Sequence, residues 1–402
     1  MGRDLDFVIV GGGIGGAVLA SLLGRGGRQC LVLEKGSALP IPRPEILWPA
    51  TVALLSRLLP DPAVRGTAML PLKGLAFARG RRVVAEVNDD VYRNAGVTPV
   101  STDPAETRRL LLHHGPFEVR TGVEVREVVR ECGRVVGVRG RDAATGQDVE
   151  VAARFTVGDD GAHSRVRQAC GIPLSARPFP VDFLCFGVTW PPDVPGGLPR
   201  DVARLWMNDR RFGSRVGALL AVPFAGGGGV GLVPVAPRAF DDLAALREDW
   251  RRFSADDPRI ERLLRGRRFP DDLVRVTRAW GHAPRYGDGN RDAGAFLLGD
   301  AIHPVSPAGG QGANMSVADA AALADVLLSG RADPLGEYER RRRPANARSM
   351  EFTSIAASVL RAPGDVLRVL APLPLSVVRH SPRQFGRVLR MAAAAFQDAP
   401  RV

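Results

Sequence analysis

The sequence predicts an α/β protein in which a discontinuous, Rossmann-like dinucleotide-binding domain carries an inserted, mostly antiparallel β-sheet domain and a C-terminal helical segment. Three motifs rich in glycine and aspartate support this prediction. They occupy residues 11–16, 158–167 and 299–304, and the first directly follows the apolar run Phe7–Val10. Because the motifs lie near the start, the middle and three quarters of the chain, we expect one dinucleotide to contact three distant segments.

The first predicted unit is a strand, a tight turn, a helix and a second strand. The apolar run Phe7–Val10 is the first strand, residues 15–23 have the apolar pattern of a helix, and residues 30–33 form a strand that Glu34 closes. This order and length are typical of a βαβ unit. The proline-rich residues 37–49 then predict a loop.

The later elements switch between strand and helix patterns. Asp103 followed by Pro104 predicts a helix start, because Asp caps the first free N–H groups and Pro suits the first helical position. The other predicted helices cover residues 51–59, 241–253 and 318–328, and the predicted strands lie within residues 72–87, 117–151, 181–190, 219–224, 230–235, 273–280 and 296–298.

This order predicts a chain that leaves the first sheet and returns to it. The predicted dinucleotide-binding domain comprises residues 1–70, 101–180 and 277–350, the β-sheet domain for the substrate comprises residues 71–100 and 181–276, and the helical segment comprises residues 351–402.

Composition excludes several classes of protein. The chain has 402 residues, 45% of them hydrophobic and 24% charged, which is ordinary for a globular protein. Its four cysteines show no paired spacing, so we expect neither a metal site nor a disulfide framework. Acids at the N-terminus and the lack of a long uncharged apolar run predict a cytoplasmic protein without a signal peptide or spanning helix. The net charge of +12 is concentrated near the C-terminus, where residues 340–402 hold 12 arginines, and we expect no nucleic-acid partner.

The first glycine motif has the pattern that phosphate binding requires. One of Gly11, Gly13 and Gly16 permits the sharp turn, one lets the backbone approach a pyrophosphate, and one lets helix and strand pack closely. The helix start then offers free N–H groups to the phosphates, and Glu34 can accept from ribose hydroxyls. A second match at residues 226–231 precedes a strand instead of a helix, so we interpret it as a hairpin turn.

With these motifs the chain resembles the class A flavoprotein monooxygenases, the p-hydroxybenzoate hydroxylase-like group, from about residue 5 to about residue 345. The resemblance implies tightly bound FAD, with the first motif on its ADP part, the middle motif on FAD and transient NADPH or NADH, and the third on the ribityl chain and flavin. It assigns FAD contacts to Gly11, Gly13, Ile14, Gly16, Glu34, Lys35, Arg43, Arg108, Val125, Asp160, Asp300, Pro307, Gly310, Gly312 and Asn314.

Residues 307–314 resemble the family's proline–glycine loop, which opens a helix under the isoalloxazine ring. N–H groups at a helix start can stabilise negative charge on a reduced flavin. Two departures from the family pattern concern the cofactors. Pro104 stands where the family has an arginine on the flavin side of FAD, with Arg108 one turn later, and Asp159 replaces the commoner alanine and adds a charge near the expected NAD(P)H site.

The candidate catalytic residues are Arg43, His282 and Pro307, although the flavin itself is expected to perform the oxidation. We interpret His303 mainly as a support of its loop. Trp48, Trp190, Trp206 and Met207 either line an apolar pocket or belong to the core.

The resemblance implies that NAD(P)H reduces FAD, that O2 forms a flavin C4a-hydroperoxide, and that one oxygen atom passes to a hydrophobic aromatic or polycyclic substrate. Two alternatives are an FAD-dependent reductase of an isoprenoid lipid and a non-catalytic flavin-binding homologue. The basic C-terminal segment either contacts a membrane surface or an acidic carrier protein, or covers the substrate domain with terminal helices.

Overall fold

The structure, a computed structural model, describes residues 5–36, 45–178, 181–190, 197–208, 214–236, 238–265, 269, 274–276, 279–307 and 309–361. The predicted contact of the basic C-terminal segment with a membrane or carrier protein rests largely on residues 362–402, which lie outside the described residues, as does Arg43.

The described helices are α1 (Ile14–Arg25), α2 (Pro49–Leu58), α3 (Pro62–Ala68), α4 (Asp89–Ala95), α5 (Pro104–His114), α6 (Arg165–Ala169), α7 (Leu243–Ser254), α8 (Pro258–Leu263), α9 (Gly312–Leu328) and α10 (Pro334–Arg361). The described strands are β1 (Phe7–Val10), β2 (Cys30–Glu34), β3 (Glu45–Leu47), β4 (Met69–Pro71), β5 (Gly74–Arg79), β6 (Arg82–Val87), β7 (Val100–Thr102), β8 (Glu118–Thr121), β9 (Val123–Glu131), β10 (Arg134–Asp142), β11 (Asp148–Ala152), β12 (Phe155–Gly158), β13 (Arg177–Pro178), β14 (Asp182–Thr189), β15 (Val202–Met207), β16 (Ala218–Pro223), β17 (Gly228–Val235), β18 (Val274–Val276), β19 (Ala279–Trp280) and β20 (Gly294–Leu297).

A five-stranded parallel sheet in the order β20-β12-β1-β2-β8 forms the first layer. All four residues of β1, β12 and β20 are buried, which explains why these strands are continuous apolar runs instead of alternating ones. Helices α1 and α9 pack against each other beside this sheet, and most of the apolar residues of both helices belong to its core. The predicted fold class is confirmed.

A seven-stranded sheet in the order β18-β14-β17-β16-β15-β5-β6 forms the second layer, and its strands come from the two separate stretches predicted for the substrate domain. Helices α7 and α8 cover one face, where Trp206 and Trp250 are buried. Residues 225–227 form the turn between the antiparallel strands β16 and β17, as predicted for the second glycine motif.

The prediction of one strand over residues 273–280 is wrong. Val274–Val276 pairs with β14 in the large sheet, whereas Ala279–Trp280 pairs with β13 in a separate two-stranded ribbon. The chain therefore changes sheets within this segment as it returns to the first layer.

The long helix α10 runs along α9 and continues without a break past residue 350. The buried Tyr338 hydroxyl donates to the carbonyl of Leu297 at the end of β20, 3.0 Å away. None of the helices in the described ranges is both long and apolar enough to cross a bilayer.

Candidate functional site: a dinucleotide cleft at the edge of the parallel sheet

The glycine turn between β1 and α1 is shaped by close backbone packing. Gly11 has a φ of +104°, and a Cβ there would lie 2.2 Å from the carbonyl oxygen of Asp159. A Cβ at Gly16 would lie 2.3 Å from the carbonyl oxygen of Gly11. Neither position accepts a side chain, so the turn holds the backbone against the start of α1, where Ile14 begins the helix and its free N–H groups can meet phosphate oxygens.

Two charged side chains hold this turn from the outside. The carboxylate of Glu34, at the end of β2, accepts from the N–H groups of Gly12 and Gly36, each at 2.8 Å. Buried Arg108 on α5 donates from Nε to the carbonyl of Gly12 at 2.6 Å, and its Nη2 lies 3.3 Å from the Glu34 carboxylate. Lys35 follows on the exposed side. Arg108 therefore stands at the glycine turn, together with the acid expected to bind ribose.

The middle motif starts the short helix α6. Asp160 accepts from the N–H groups of Arg165 at 2.6 Å and Val166 at 3.2 Å, and burial raises the pKa of its carboxyl group. Buried Arg167, which the sequence analysis did not single out, donates to the carbonyls of Ala301 at 2.8 Å and Ala162 at 3.0 Å. Arg167 therefore ties the middle motif to the third one.

Asp159 lies against the glycine turn at the start of α1. Its carboxylate accepts from the N–H of Gly16 at 2.7 Å and lies between the glycine turn and Gly299. The predicted extra charge is thus placed at the start of α1, where FAD phosphates are expected.

The third motif is anchored by a buried carboxylate that the sequence analysis missed. Asp319 on α9 accepts from the N–H of Gly299 at 3.2 Å and from His303 Nε2 at 2.5 Å. Arg342 and Asn346 of α10 donate to its other oxygen at 2.8 and 3.0 Å. Although burial alone would raise the pKa of Asp319, His303 and Arg342 hold it well below its ordinary value. This contact fixes the backbone that carries Asp300, and it agrees with a supporting role for His303.

The predicted proline–glycine loop leads into α9 at Gly312. Asn314 is fully buried and binds backbone on two sides. Its Oδ1 accepts from the N–H of Trp48 at 3.0 Å, and its Nδ2 donates to the carbonyls of Ile46 at 2.7 Å and Gly310 at 2.9 Å. Asn314 therefore joins the loop that begins at Pro307 to strand β3.

His282 lies beside the third motif, with its ring centroid 6.4 Å from that of His303. Asn346 Nδ2 donates to the Tyr286 hydroxyl at 3.2 Å, and this hydroxyl is hydrogen-bonded to His282 Nε2 at 2.6 Å. Burial, with the nearby His303 and Arg343, lowers the pKa of His282 to about 4. His282 is therefore neutral at physiological pH and is hydrogen-bonded through Nε2.

Val125 on β9 is buried in the core beside the parallel sheet, where it pairs with Gly140. The structure thus brings the three motifs, Glu34 and Arg108 together around the start of α1. The glycines that exclude side chains and the free helix N–H groups fit the pyrophosphate of a dinucleotide. The individual FAD contacts of these residues stay predictions.

The face of the seven-stranded sheet opposite α7 and α8 is apolar. Ala203, Val222 and Val230 belong to a buried cluster against which Ile46 of β3 packs, and Ile46 also lies against Gly310 of the proline–glycine loop, so this face is turned toward that loop. The pairing register places side chains of successive strands in rows across this face: Gly187, Val230, Val222, Ala203 and Leu75; Cys185, Leu232, Leu220, Leu205 and Phe77; Phe183, Pro234, Ala218 and Met207. The first two rows contain no charged residue, whereas the third row, continued onto β5, meets Arg79 at the end of that strand.

Trp48, Trp190, Trp206 and Met207 do not line one common pocket in the structure. Trp190 and Trp206 are packed on the face covered by the helices, Met207 lies on the apolar face, and Trp48 packs with Val305 near the loop.

The sequence matches a known family of proteins over most of its length. A family described as FAD binding domain matches residues 4–353. The chain is 30% identical to 6-methylpretetramide 4-monooxygenase of Streptomyces rimosus, over 98% of this chain and 93% of that protein. The chain belongs to the FAD-dependent monooxygenases of the p-hydroxybenzoate hydroxylase type.

Another FAD-dependent monooxygenase and two solved structures are also similar to this monooxygenase. It is 27% identical to FAD-dependent monooxygenase OpS4 of Beauveria bassiana, over 81% of this chain and 77% of that one. The fold matches p-nitrophenol 4-monooxygenase PnpA from Pseudomonas putida with a TM-score of 0.77 and 21% identity, over 100% of both chains. It also matches HpxO of Klebsiella pneumoniae, solved with FAD and uric acid, with a TM-score of 0.74 and 20% identity, over 98% and 97% of the two chains. The monooxygenase is thus an oxidoreductase with FAD as its cofactor.

Proposed function

We propose that this monooxygenase uses NADH or NADPH to reduce its FAD and inserts one oxygen atom of O2 into a hydrophobic aromatic or polycyclic substrate. When bound, FAD would supply the oxidative chemistry through its C4a-hydroperoxide. The residues of the chain would hold FAD, orient the substrate and exclude water.

The observation that carries the substrate class is the apolar face of the seven-stranded sheet. A charged group buried against the first two rows would lose its hydration and gain no charged partner from them, at a cost on the order of several kcal/mol. An apolar ring system would instead gain from burial there. The names of the relatives for 6-methylpretetramide and p-nitrophenol support an aromatic substrate of this kind.

The start of α9 is proposed to stabilise the reduced cofactor. Gly310 has a φ of +62° and packs against Ile46, and Gly312 begins a helix of 17 residues, so the first N–H groups of α9 lie at the loop. These donors and the positive end of the helix would favour negative charge on the flavin ring. Neutral His282 would serve as a hydrogen-bonding support in this region and not as a proton donor.

The proposal includes a cytoplasmic location. The arginines beyond residue 361 would be available to an acidic carrier protein or an anionic membrane surface.

The direct test follows NADH and NADPH oxidation by the FAD-loaded protein, with and without a panel of uncharged and carboxylated aromatic and polycyclic compounds under ¹⁸O2. We expect an uncharged polycyclic compound to accelerate oxidation and to yield a product containing one ¹⁸O atom. Failure of both nucleotides to reduce the flavin would refute the proposal. A reduced product without ¹⁸O would favour the alternative of an isoprenoid-lipid reductase.

A pair of variants tests the apolar face. Leu205→Gln introduces an amide into the middle row, whereas Val83→Gln makes the same kind of change on the exposed edge strand β6, where Val83 is 40% exposed. Since an unpaired amide in an apolar site costs about 1–3 kcal/mol, KM for an uncharged polycyclic substrate should rise roughly tenfold or more in Leu205→Gln and stay unchanged in Val83→Gln. Equal KM values in both variants would place the substrate elsewhere.

A further inference from the structure

The Asp159 side chain lies in the cleft between two glycine-bearing segments. A Cβ on Gly13 would be 2.8 Å from Asp159 Oδ2, and a Cβ on Gly299 would be 2.9 Å from Oδ1. The carboxyl group therefore stands between the first motif and the third, which are the segments expected on either side of the FAD phosphates.

This carboxyl group already uses one donor of the helix start. Gly16 is the third residue of α1, so its N–H has no acceptor within the helix, and it donates to Asp159 Oδ2 at 2.7 Å. An anion at this end of α1 is favoured by the exposed N–H groups and the helix dipole. Ionised Asp159 thus occupies part of the same electrostatic site that the pyrophosphate of FAD requires.

The surroundings of Asp159 are mostly acidic. Asp160 follows it directly, Asp300 faces it from the third motif, Glu34 faces it from the end of β2, and Tyr338 faces it from α10. The nearby cation Arg108 is bound to Glu34 and to the carbonyl of Gly12. Burial raises the pKa of Asp159 well above its ordinary value, the Gly16 N–H opposes this shift, and the three neighbouring acids add to it. These surroundings therefore favour the protonated form of Asp159 in the folded protein.

We propose that Asp159 couples FAD binding to the uptake of one proton, because its ionised carboxylate repels the pyrophosphate at the start of α1 and its protonated form admits it. The neutral acid also keeps a hydrogen-bond donor for a phosphate oxygen.

Coupling to proton uptake makes the affinity for FAD fall as the pH rises. The pyrophosphate raises the pKa of Asp159 further in the complex, so FAD binds most tightly below the pKa of the free protein. Above that pKa the dissociation constant should rise by up to tenfold per pH unit, the limit for one linked proton, until the pKa of the complex is passed.

The test uses the full-length protein stripped of FAD, without NAD(P)H or substrate, so its result does not depend on the proposed reaction. Flavin fluorescence gives the dissociation constant of FAD between pH 6 and 9 for the natural protein, Asp159→Asn and Asp242→Asn. Asp242 is a matched control, because it accepts from the N–H of Ala245 at 3.0 Å at the start of α7, on the other sheet layer. We expect Asp159→Asn to bind FAD at least tenfold more tightly at pH 9 with a flat pH profile, and Asp242→Asn to follow the natural protein.

Calorimetry of FAD binding in two buffers of different ionisation enthalpy counts the protons taken up with FAD. Proton uptake should approach one proton per FAD in the natural protein at the pH where its affinity for FAD falls most steeply, and it should be almost absent in Asp159→Asn. Binding without proton uptake in the natural protein would overturn the proposal, as would weaker binding by Asp159→Asn across the pH range.

Discussion

Replacing Asp319 by asparagine would test how the third motif is held in place. The carboxylate lies on α9 and is completely buried together with Arg342. One oxygen accepts from His303 and Gly299, and the other accepts from Arg342 and Asn346. All four partners are donors. Asparagine has nearly the same shape, but in either orientation its NH2 group would face two donors, so two hydrogen bonds are lost without creating a cavity.

The expected cost follows from these contacts. A hydrogen bond to a charged group contributes about 1.5–3 kcal/mol, and removing one partner of a buried ion pair costs about 3–5 kcal/mol, because the remaining charge is left uncompensated. We therefore expect Asp319→Asn to lose about 3–5 kcal/mol of unfolding free energy. The pKa of Asp319 is depressed, so its stabilisation is complete above its ordinary pKa of 3.8 and is lost only as the pH falls through the folded value. The loss should thus be constant between pH 8 and pH 6.

Urea unfolding of the FAD-loaded protein, followed by circular dichroism and flavin fluorescence, measures this loss. Asp325→Asn is the matched control. It makes the same change on the same helix, and Asp325 also pairs with an arginine of α10, but its side chain is 37% exposed. Exposed pairs contribute about 0–1 kcal/mol, so the control should differ little from the natural protein. Equal losses in the two variants would show that the buried carboxylate is not what fixes the third motif.

Two further outcomes follow from the glycine turn and from His282. Gly11→Ala should abolish FAD retention because its Cβ would overlap the Asp159 carbonyl, whereas Gly27→Ala, which has a φ of +80° and no atom within 4 Å of the new Cβ, should keep FAD and lose only about 1–2 kcal/mol of stability. Bound flavin absorbance and thermal unfolding distinguish the two, and a yellow Gly11→Ala protein would contradict the steric argument. The pKa of His282 is lowered from 6.5 to about 4, so stability should fall by about 2–3 kcal/mol as the pH drops from 6.5 to 4, since the unfolded chain binds this proton first. His282→Gln should flatten that part of the stability profile, and an unchanged slope would rule out His282 as its source.

Local patterns predicted the parts of the fold that are stabilised locally. The βαβ unit has its apolar run, glycine turn and second strand in sequence, and Asp103 does cap α5 by accepting from the N–H groups of Ala105 and Glu106. Strand β15 was missed because its buried Arg204 breaks any alternation, and because it pairs in parallel with β5, which lies far earlier in the chain.

In the site, too, local motifs could be predicted from the sequence, whereas contacts between distant residues could not. The three motifs could be predicted because each carries its own glycine and acid pattern. The run Arg340–Arg343 looks uniformly basic, and nothing in it marks Arg342 as the one that is buried against Asp319 of another helix. Arg167 likewise gives no local sign that it joins two motifs. Partners brought together only by tertiary packing leave no periodic signal in the sequence.

The strand order of the parallel sheet has a consequence for biosynthesis. Strand β20, at residues 294–297, completes the sheet by pairing with β12, and α10 then locks its end through Tyr338. A ribosome adds about 5–20 residues per second, so the nascent chain spends many seconds with β12 as an unpaired apolar edge. The flavin can be captured only after β20 and α10 have been made, and chains released before that point would expose a surface suited to aggregation instead of a partly working enzyme.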